Sequence, residues 1–554
     1  MSKRIDIKKT MLEKAFMILR LKSIFVLLWL FCITVFLVMI GGCSTPEQLV
    51  DEADRDTYAI IEEKWDPNFG VMANYKIEDS VPTYEEISEL VPPSGVVTLA
   101  KAVEIATRYS RSYQSQKESL YTSALSLTST RHQYERQWFG TFDGEYRESR
   151  GDENNTLSSQ SGVDQAFVTA GGIIANAGLS IDWTRFLSGD PYTTLGSVLN
   201  ASITAPLLGN VAGKQAWENL TQSERNVLYS VRNFNRYRQT FVVSIINEYY
   251  RVLQAEERLK IARASYERQL RTAEQTQLEV DVGQRAQSEA DRIRQDLLNA
   301  ENSIVSNEQS YKQTLDSFKV TLSLPTDANI TLDPNELVAL EELGVSEPEY
   351  TLDEAVQMAL DLRLDLANTK DRLDDTERSL ILAAEGIGVQ MDVTASSNVS
   401  SPSGETDYTR LQFQDGTYTL GFNTDLPFDQ VSERNNYRRA LISMQQSQRS
   451  YEEDLERVKL DVRQAYRDLV ESTRSYEIQQ ISLKLAERRV EEQKLRLEFG
   501  SATVIDLQDS EDALVSAQNS YTNAIISYLN AKLSFYRDIG ILEVKPDGMW
   551  EQRI

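Results

Sequence analysis

The sequence from Gly500 to Phe535 contains an unbroken heptad repeat, and this repeat limits what the chain can fold into. Apolar and small residues recur there at alternating spacings of three and four: Leu514, Ala517, Tyr521, Ala524, Tyr528, Ala531 and Phe535. Because a repeat of 3.5 residues keeps one helix face turned toward a partner helix, we expect a coiled coil. Gly500 and Ser501 come just before the repeat, which predicts a turn between two helices.

The same pattern occurs 217 residues earlier, where Gly283 corresponds to Gly500. The seam of this first copy consists of Leu297, Ala300, Ile304, Asn307, Tyr311, Thr314 and Phe318. A long helix is predicted before each turn, at 214–282 and at 432–497. At about 1.5 Å per residue the second of these is about 100 Å long. Two copies of a long helical hairpin therefore organise the chain.

Each long hairpin is preceded by another predicted helix. These helices begin at Thr98 and Thr351, which are natural N-cap residues, and Glu354 stands at the capping-box position of the second. They are expected to run to about Gln137 and about Gly386.

After each of these helices the sequence alternates between apolar and polar residues with period two, as β-strands do. The alternating stretches are Phe142 to Tyr146, Leu195 to Ile203, Met391 to Ala395 and Tyr418 to Phe422. Half-apolar strands of about ten residues are typical of a membrane β-barrel, although a soluble hairpin shows the same alternation. A strand pair leaves open edges in lipid, so a barrel here needs several chains.

The first copy carries an extra segment at 163–191. Within it Leu179, Ile181 and Trp183 alternate with polar residues. This pattern fits either an additional hairpin of the barrel or an external loop, and the strand count per chain depends on which of the two it is.

Composition excludes several classes of protein. The formal net charge of −26 argues against nucleic acid as a partner, because a phosphate backbone is bound by clustered Lys and Arg. The chain has one histidine, His132, and two cysteines, Cys32 and Cys43, so neither a Cys/His metal site nor a Ser-His-Asp arrangement is expected. We therefore predict that the protein is not an enzyme and uses no metal and no cofactor.

The N-terminus combines a basic segment with an apolar run from Ser23 to Ile40, which fits either a retained membrane anchor or a secretory signal. The order IGGC that ends at Cys43 resembles a bacterial lipoprotein box, which implies that Cys43 is lipidated and begins the mature chain. In such proteins Ser44 after the cysteine favours the outer membrane. One acyl chain binds a membrane weakly, so another part of the protein should also hold it there. Whether Met1, Met11 or Met17 starts translation stays open.

The segment from residue 45 to residue 93 is acidic and interrupted by prolines, which predicts an extended tail with one short helix at Pro46–Lys64.

Taken together, residues 97–540 resemble the TolC family of outer-membrane efflux proteins. A signal with a lipid box is followed twice by a helix, a strand pair, a long helix, a glycine turn and a long helix. The resemblance implies a mainly α fold with a membrane β-barrel: a trimeric channel-tunnel with two repeats per chain and a shared 12-stranded barrel, four strands from each chain. The implied domains are a signal peptide at 1–42, an acylated tail at 43–96, repeat 1 at 97–324, an equatorial segment at 325–350, repeat 2 at 351–540 and a C-terminal tail at 541–554.

The stretch from Gly500 to Asp509 carries the most specific part of the resemblance. It looks like the family's periplasmic entrance, where aspartates six and nine residues after the glycine form rings in the trimer, here Asp506 and Asp509. Their i, i+3 spacing places them on one helix face, and a threefold axis brings six carboxylates together. Such a ring attracts cations and should raise some of the carboxylate pKa values. The alternative is that both are ordinary acids on a solvated helix.

Two positions near the turn depart from the TolC pattern. Where the prototype has a gate Tyr before the glycine and a gate Arg after it, this chain has Leu497 and Ala502. The partner acid in the first hairpin is retained as Glu289. Arg285 or Arg292 at the first tip is the candidate replacement for the missing gate residues.

The resemblance implies a passive exit duct of a tripartite efflux or secretion system, in the outer membrane of a Gram-negative-type bacterium, lipid-anchored and extending into the periplasm. Its partners are two further copies of the chain, outer-membrane lipid, a periplasmic adaptor and an inner-membrane pump of RND, ABC or MFS type. The adaptor is expected to dock on the hairpin tips, formed by Gly283, Gln284, Arg285, Gly500, Ser501 and Ala502. A lipid-anchored coiled-coil scaffold or adaptor without a pore is the alternative. The cargo and the pump class stay open.

Overall fold

The computed structural model describes residues 45–77, 91–147, 156–169, 172–187, 192–209, 211–402, 408–426, 428–547 and 549–552. The chain divides into a unit at residues 1–60 and a unit at 61–554. The apolar run and the lipoprotein box of the N-terminus lie outside the described residues. Helix α1, Pro46–Lys64, has the bounds predicted for it. No helix in the described ranges is both long enough and apolar enough to cross a membrane.

Within the described residues, the first repeat contains two short helices, the two-residue strand β1, four longer strands and two long helices. In chain order these are β1 (Val96–Val97), α2 (Leu99–Tyr109), α3 (Arg111–His132), β2 (Gln137–Arg147), β3 (Thr156–Val168), β4 (Ile174–Phe186), β5 (Thr193–Leu208), α4 (Val211–Asp281) and α5 (Gln287–Thr321). A short connecting segment, β6 (Thr331–Leu332) and α6 (Asn335–Leu343), follows.

The second repeat has the same order of helices but only two strands before the long hairpin. It consists of α7 (Leu352–Leu362), α8 (Leu364–Glu385), β7 (Gln390–Ser400), β8 (Thr417–Asp425), α9 (Val431–Glu498) and α10 (Val504–Ile539), followed by β9 (Leu542–Val544) and β10 (Trp550–Gln552). The predicted long helices are confirmed as α4 and α9.

The predicted caps are also confirmed, whereas the helices that they begin are interrupted. The Thr98 side chain accepts a bond from the Lys101 N–H, and Thr351 forms a full capping box with Glu354. The prediction of one continuous helix after each cap was wrong. Ser110 and Arg363 have extended backbone with ψ of 128° and 116°, which ends one helix and begins the next.

Six strands form one antiparallel sheet in the order β2-β3-β4-β5-β7-β8. The extra segment is therefore a hairpin of the sheet, made by β3 and β4, and not an external loop. The sheet has two strands more than the four per chain that the resemblance implies. The strands pair over long stretches: β3 and β4 form 13 residue pairs, from Thr156↔Phe186 to Val168↔Ile174.

The two faces of this sheet differ in chemistry. Residues that share one face through the register include the exposed apolar side chains Trp138, Phe142, Leu179, Ile203, Leu420 and Phe422. The opposite face carries Asp143, Gln160, Asp164, Asp182, Asn200 and Asn398. On this face a Cβ at Gly178 would lie 1.8 Å from Asp164 Oδ1 and 2.6 Å from Asn200 Oδ1, so both polar side chains lean over the glycine.

The helices pack side by side in a fixed order. Near the sheet, α3 packs against α4, α4 against α8, and α8 against α9; farther along, α5 packs against α4, α4 against α10, and α10 against α9. Ion pairs join α4 to α8, among them Arg225 Nε to Asp375 Oδ1 at 2.6 Å and Arg378 Nε to Glu218 Oε1 at 3.0 Å. The interior is apolar and aromatic, and Tyr113 packs there on Phe234 and Phe241.

The two heptad seams are buried to different degrees. In α10 the seam residues Leu514, Ala517, Ala524, Tyr528 and Phe535 are buried, because this helix lies between α4 and α9. In α5 the seam residues from Leu297 to Thr314 are only half-buried, and Phe318 alone is fully buried. The coiled-coil prediction is therefore satisfied within the chain for the second hairpin and only partly for the first.

Candidate functional site: the two hairpin tips

The first tip is a tight turn centred on Gly283, which has a φ of +78°. Its N–H donates to the Val280 carbonyl at 2.9 Å, and the Gln284 N–H donates to the Glu279 carbonyl at 2.8 Å. This pair of bonds is a Schellman motif, which requires a left-handed residue after the helix and therefore favours glycine.

Arg285 links the two helices of the first hairpin at its tip. The Arg285 guanidinium bonds the Glu279 carboxylate at the end of α4, and its Nη1 lies 3.2 Å from Glu289 Oε2 at the start of α5. The bond from Arg285 lowers the pKa of Glu279. Ala286, the N-cap residue of α5, has no side chain that could cap the helix. The negative charge of Glu289 is thus balanced by the Arg285 guanidinium, and no capping box forms at the start of α5.

The second tip has the same backbone turn. Gly500 has a φ of +68°, its N–H donates to the Leu497 carbonyl at 3.0 Å, and the Ser501 N–H donates to the Arg496 carbonyl at 2.8 Å. The Ser501 hydroxyl adds a bond to the same Arg496 carbonyl at 3.1 Å. No atom outside the immediate neighbours lies within 4 Å of a Cβ built at Gly500. The requirement for glycine is therefore one of backbone conformation and not of space.

A capping box follows the second turn. Asp506 Oδ2 accepts from the Thr503 N–H at 2.9 Å and from its hydroxyl at 2.7 Å, while Thr503 Oγ1 accepts from the Asp506 N–H at 3.2 Å. The backbone bond from Thr503 is the main reason that the pKa of Asp506 is lowered. Asp506, one of the two predicted entrance acids, thus already serves as the N3 residue of the capping box, with Thr503 as the N-cap of α10.

The other predicted entrance acid, Asp509, lies on the exposed side of α10. One turn further, partial burial together with Asp296 and Asp509 raises the pKa of Asp512. Sequence reasoning missed Asp512 and Asp296. The signal for Asp512 was present, because it continues the i, i+3 series of Asp506 and Asp509, whereas Asp296 is brought near only by the packing of α5.

Behind these acids lies a polar groove of about 450 Å³ between α4, α5 and α10. Gln269 and Gln508, both buried, line it, and within the described residues their side-chain oxygens have no hydrogen-bond partner. Glu511 is buried nearby with Arg268 Nε 3.9 Å away, and burial raises the pKa of its carboxyl group.

The remaining gate candidates lie at separate places on the tips. Arg292 is exposed on α5, at the position that corresponds to Asp509 in the second repeat, and Leu497 and Ala502 are partly exposed at the second turn. In the described part of the chain, no three His, Cys, Asp or Glu side chains are arranged to hold a metal ion.

A sequence model of the family described as Outer membrane efflux protein matches residues 172–321 and 355–540. No curated protein matches the chain. Solved structures of outer-membrane channels share the fold. The channel CmeC of Campylobacter jejuni is 14% identical with a TM-score of 0.59, over 86% of this chain and 91% of its own. The open state of MtrE of Neisseria gonorrhoeae is 16% identical with a TM-score of 0.55, over 80% of this chain and 88% of its own.

The family match spans both repeats and reaches from β4 to the end of α10. Its members are channels of the outer membrane and not enzymes. The chain belongs to the outer membrane efflux protein family.

Proposed function

We propose that three copies of this chain form the outer-membrane exit duct of a tripartite export system. The six-stranded sheet carries the proposal. It is apolar on one face and polar on the other, and within the described residues β2 and β8 are each paired along one side only. Exposed strand edges cannot lie open in lipid, so the sheet needs further copies of itself to close.

The helices support the same ring. In the order α5-α4-α10-α9, the outermost helices α5 and α9 expose large apolar side chains on surfaces that none of the described helices covers. On α9 these are Ile478, Ile481 and Leu485, and on α5 Leu298 and Val305. Contact of α9 with α5 of the next copy buries both sets, and it also completes the half-buried seam of α5. Such a head-to-tail contact generates a closed ring.

In this duct the hairpin tips face the periplasm and receive an adaptor, which connects the duct to an inner-membrane pump. The channel itself is passive, and the pump supplies the energy and selects the cargo. Cys43 carries the lipid anchor of the mature chain, and the barrel supplies the remaining hold on the membrane.

Asp506 and Asp509, repeated by the threefold axis, place six carboxylates around the entrance, with Asp512 one turn behind them. We infer that this entrance conducts cations in preference to anions. Because the Asp506 carboxylate already accepts two bonds from Thr503, Asp509 carries more of the selectivity.

The test is the conductance of the purified, detergent-extracted protein in planar bilayers. Wild type is expected to show a small cation-selective conductance that divalent ions block from one side. The variant Asp506→Asn/Asp509→Asn should lose most of the block and the selectivity, and Asp509→Asn alone, which keeps the cap, should account for most of the effect. The charge-matched control Glu487→Gln/Glu491→Gln alters exposed acids of α9 and should leave the selectivity unchanged.

A protein that is folded yet forms no pores in this assay favours the pore-free scaffold and contradicts the duct. Pores with the same selectivity in wild type and in the double variant would keep the duct and remove the acid ring from the entrance.

A further inference from the structure

We propose that each chain inserts six strands into the membrane, so that the trimer closes an 18-stranded barrel instead of a 12-stranded one. The inference rests on the proposed trimeric duct. Its specific content is that the β3–β4 hairpin, the segment that sequence reasoning left undecided, belongs to the barrel wall.

The position of the hairpin within the sheet is the first argument. β3 and β4 lie between β2 and β5, and β2 has no pairing with β5 in the described sheet. β2 pairs with β3 over 11 residue pairs, and β4 pairs with β5 over 12. If the hairpin lay outside the barrel, both of these ladders would have to break so that β2 could pair with β5. A loop folded over a complete wall would leave β2 and β5 already paired.

The strand directions are the second argument. Because a hairpin adds one strand in each direction, β2 still runs away from α3 and β8 still runs toward α9. The joint between β8 of one copy and β2 of the next is therefore antiparallel, as in the rest of the sheet. An inserted hairpin thus widens the wall without changing how the strands continue into the helices.

The faces of the hairpin are the third argument. In β4 the apolar residues Leu179, Ile181 and Trp183 share a face with Leu199 and Leu195 of β5 through the register. The alternate positions continue the polar face. Asp182 lies in one row with Gln160 and Asp143, and Gly178 lies between Asp164 and Asn200. β4 therefore has one side suited to lipid and one to water. On β3 the lipid-side face is mixed: Leu157, Val163 and Phe167 alternate there with Ser159, Ser161 and Gln165.

The length of the strands also fits a membrane. β3 and β4 have 13 residues each, about 43 Å at ~3.3 Å per residue, and a tilt of about 40° leaves a rise of about 33 Å. That exceeds the apolar band of about 25 Å of outer-membrane barrels.

The added hairpin changes the size and the charge of the exit. Strands ~4.8 Å apart at a tilt of about 40° give a backbone diameter of about 36 Å for 18 strands, against about 24 Å for 12. The hairpin also adds Asp164 and Asp182 to the water-facing side of each chain. The exit is consequently a wide, acidic, hydrated opening, and discrimination by size is left to the hairpin tips.

Cysteine accessibility in lipid vesicles tests the inference. A membrane-impermeant maleimide is applied to Asp182→Cys and Trp183→Cys on β4, with Ser180→Cys and Leu179→Cys as a second pair. Asp392→Cys and Val393→Cys on β7, whose residues belong to the other repeat, are the controls. We expect the polar-face cysteine to react roughly tenfold or more faster than its neighbour in every pair, because lipid excludes the reagent.

The outcomes separate the two proposals. Alternation on β7 with equal, fast labelling at both β4 pairs places the hairpin outside the wall and overturns the 18-stranded barrel while keeping the duct. Equal, fast labelling on β7 as well contradicts the membrane barrel and with it the proposed function. Alternation at all three pairs, together with a trimer by mass and eighteen strands in electron microscopy, supports the inference.

Discussion

The two repeats share one backbone design, yet they stabilise it by different chemistry. Both tips make the same Schellman turn, but the first relies on Arg285 bound to Glu279 and Glu289, and the second on the capping box of Thr503 and Asp506. The first repeat also has four strands where the second has two, and its seam is less buried. The comparison shows that the same glycine turn can be supported by different side-chain contacts, with an acid retained at the equivalent positions Glu289 and Asp506.

The largest expected effect comes from making the two repeats alike in their strands. Deletion of residues 156–191 joins β2 to β5 directly, and the strand directions permit this because a whole hairpin is removed. We expect the trimer to persist with a barrel that is narrower by about one third, near 24 Å across. Electron microscopy along the channel axis measures the width. An unchanged diameter would show that the hairpin does not contribute to the wall.

The next effect concerns what the tips have in common, the left-handed glycine. Gly283→Val and Gly500→Val should each loosen their own tip by about 2 kcal/mol, since a β-branched residue is strained at this φ. Hydrogen exchange of the amides flanking each turn measures the local opening free energy. Gly283→Asn and Gly500→Asn are the matched controls and should cost less, because asparagine tolerates the left-handed region. Equal losses for Val and Asn would indicate that something other than backbone strain is responsible.

Exchange of the caps sharpens the difference between the repeats. Thr503→Ala removes the capping box and should destabilise the start of α10 by about 1 kcal/mol. Ala286→Thr supplies the missing N-cap opposite Glu289 and should stabilise the start of α5 by somewhat less, because Glu289 is already bound to Arg285. Hydrogen exchange of the amides at the start of α5 and α10 measures both changes. A loss of stability in Ala286→Thr would contradict the equivalence of Ala286 and Thr503.

Salt should lower the stability of the first tip more than that of the second, by less than the effects of the substitutions above. Arg285→Ala removes a partly exposed ion pair and should cost about 0.5 kcal/mol at low salt and less at 1 M, where screening is strong. The second tip depends on short bonds to backbone N–H groups and should respond little to salt. Arg292→Ala, a neighbouring exposed arginine, is the control. If the amides of the first tip were equally protected from hydrogen exchange at both salt concentrations, the ion pairs of Arg285 with Glu279 and Glu289 would contribute nothing to its stability.

Acid should loosen both tips in the same direction. The folded pKa values of Glu279 and Asp506 are lowered, so the stability that each carboxylate contributes is present above its unfolded pKa, near 4, and is lost as the pH falls through the folded pKa. Glu511 has the opposite sign. Its raised pKa favours the folded state at low pH, and this benefit is lost as the pH rises through the folded pKa.

Glu511→Gln should therefore stabilise the groove at neutral pH relative to wild type and flatten its pH dependence. Hydrogen exchange near Glu511, measured between pH 4 and pH 8, gives the profile, and Glu498→Gln on exposed surface is the control. An unchanged profile in Glu511→Gln would assign the pH dependence to Asp512, whose pKa is also raised.

Much of the molecule follows from local sequence patterns. The heptad seams and the glycine turns predicted the long hairpins, and the caps at Thr98 and Thr351 predicted where α2 and α7 begin, because each signal depends on residues a few positions apart. The capping box of Thr503 and Asp506 was equally local and could have been found from the same T-x-x-acid spacing. The break at Arg363 has no such signal in its residue type, and Ser110, although serine is a common N-cap residue, makes no side-chain cap bond.

The sequence by itself determined two helical hairpins with glycine turns, because helix period, capping and left-handed backbone are properties of neighbouring residues. Only the tertiary structure decided that the extra segment enters the sheet, as the end of β3 and as β4, since alternation of apolar and polar residues is the same in a barrel strand and in a soluble hairpin. Likewise, only the packing of α5 and α10 on α4 brings Asp296 toward Asp512. Strand pairing and contacts between helices join residues that are far apart in the chain, and periodicity carries no information on which of them meet.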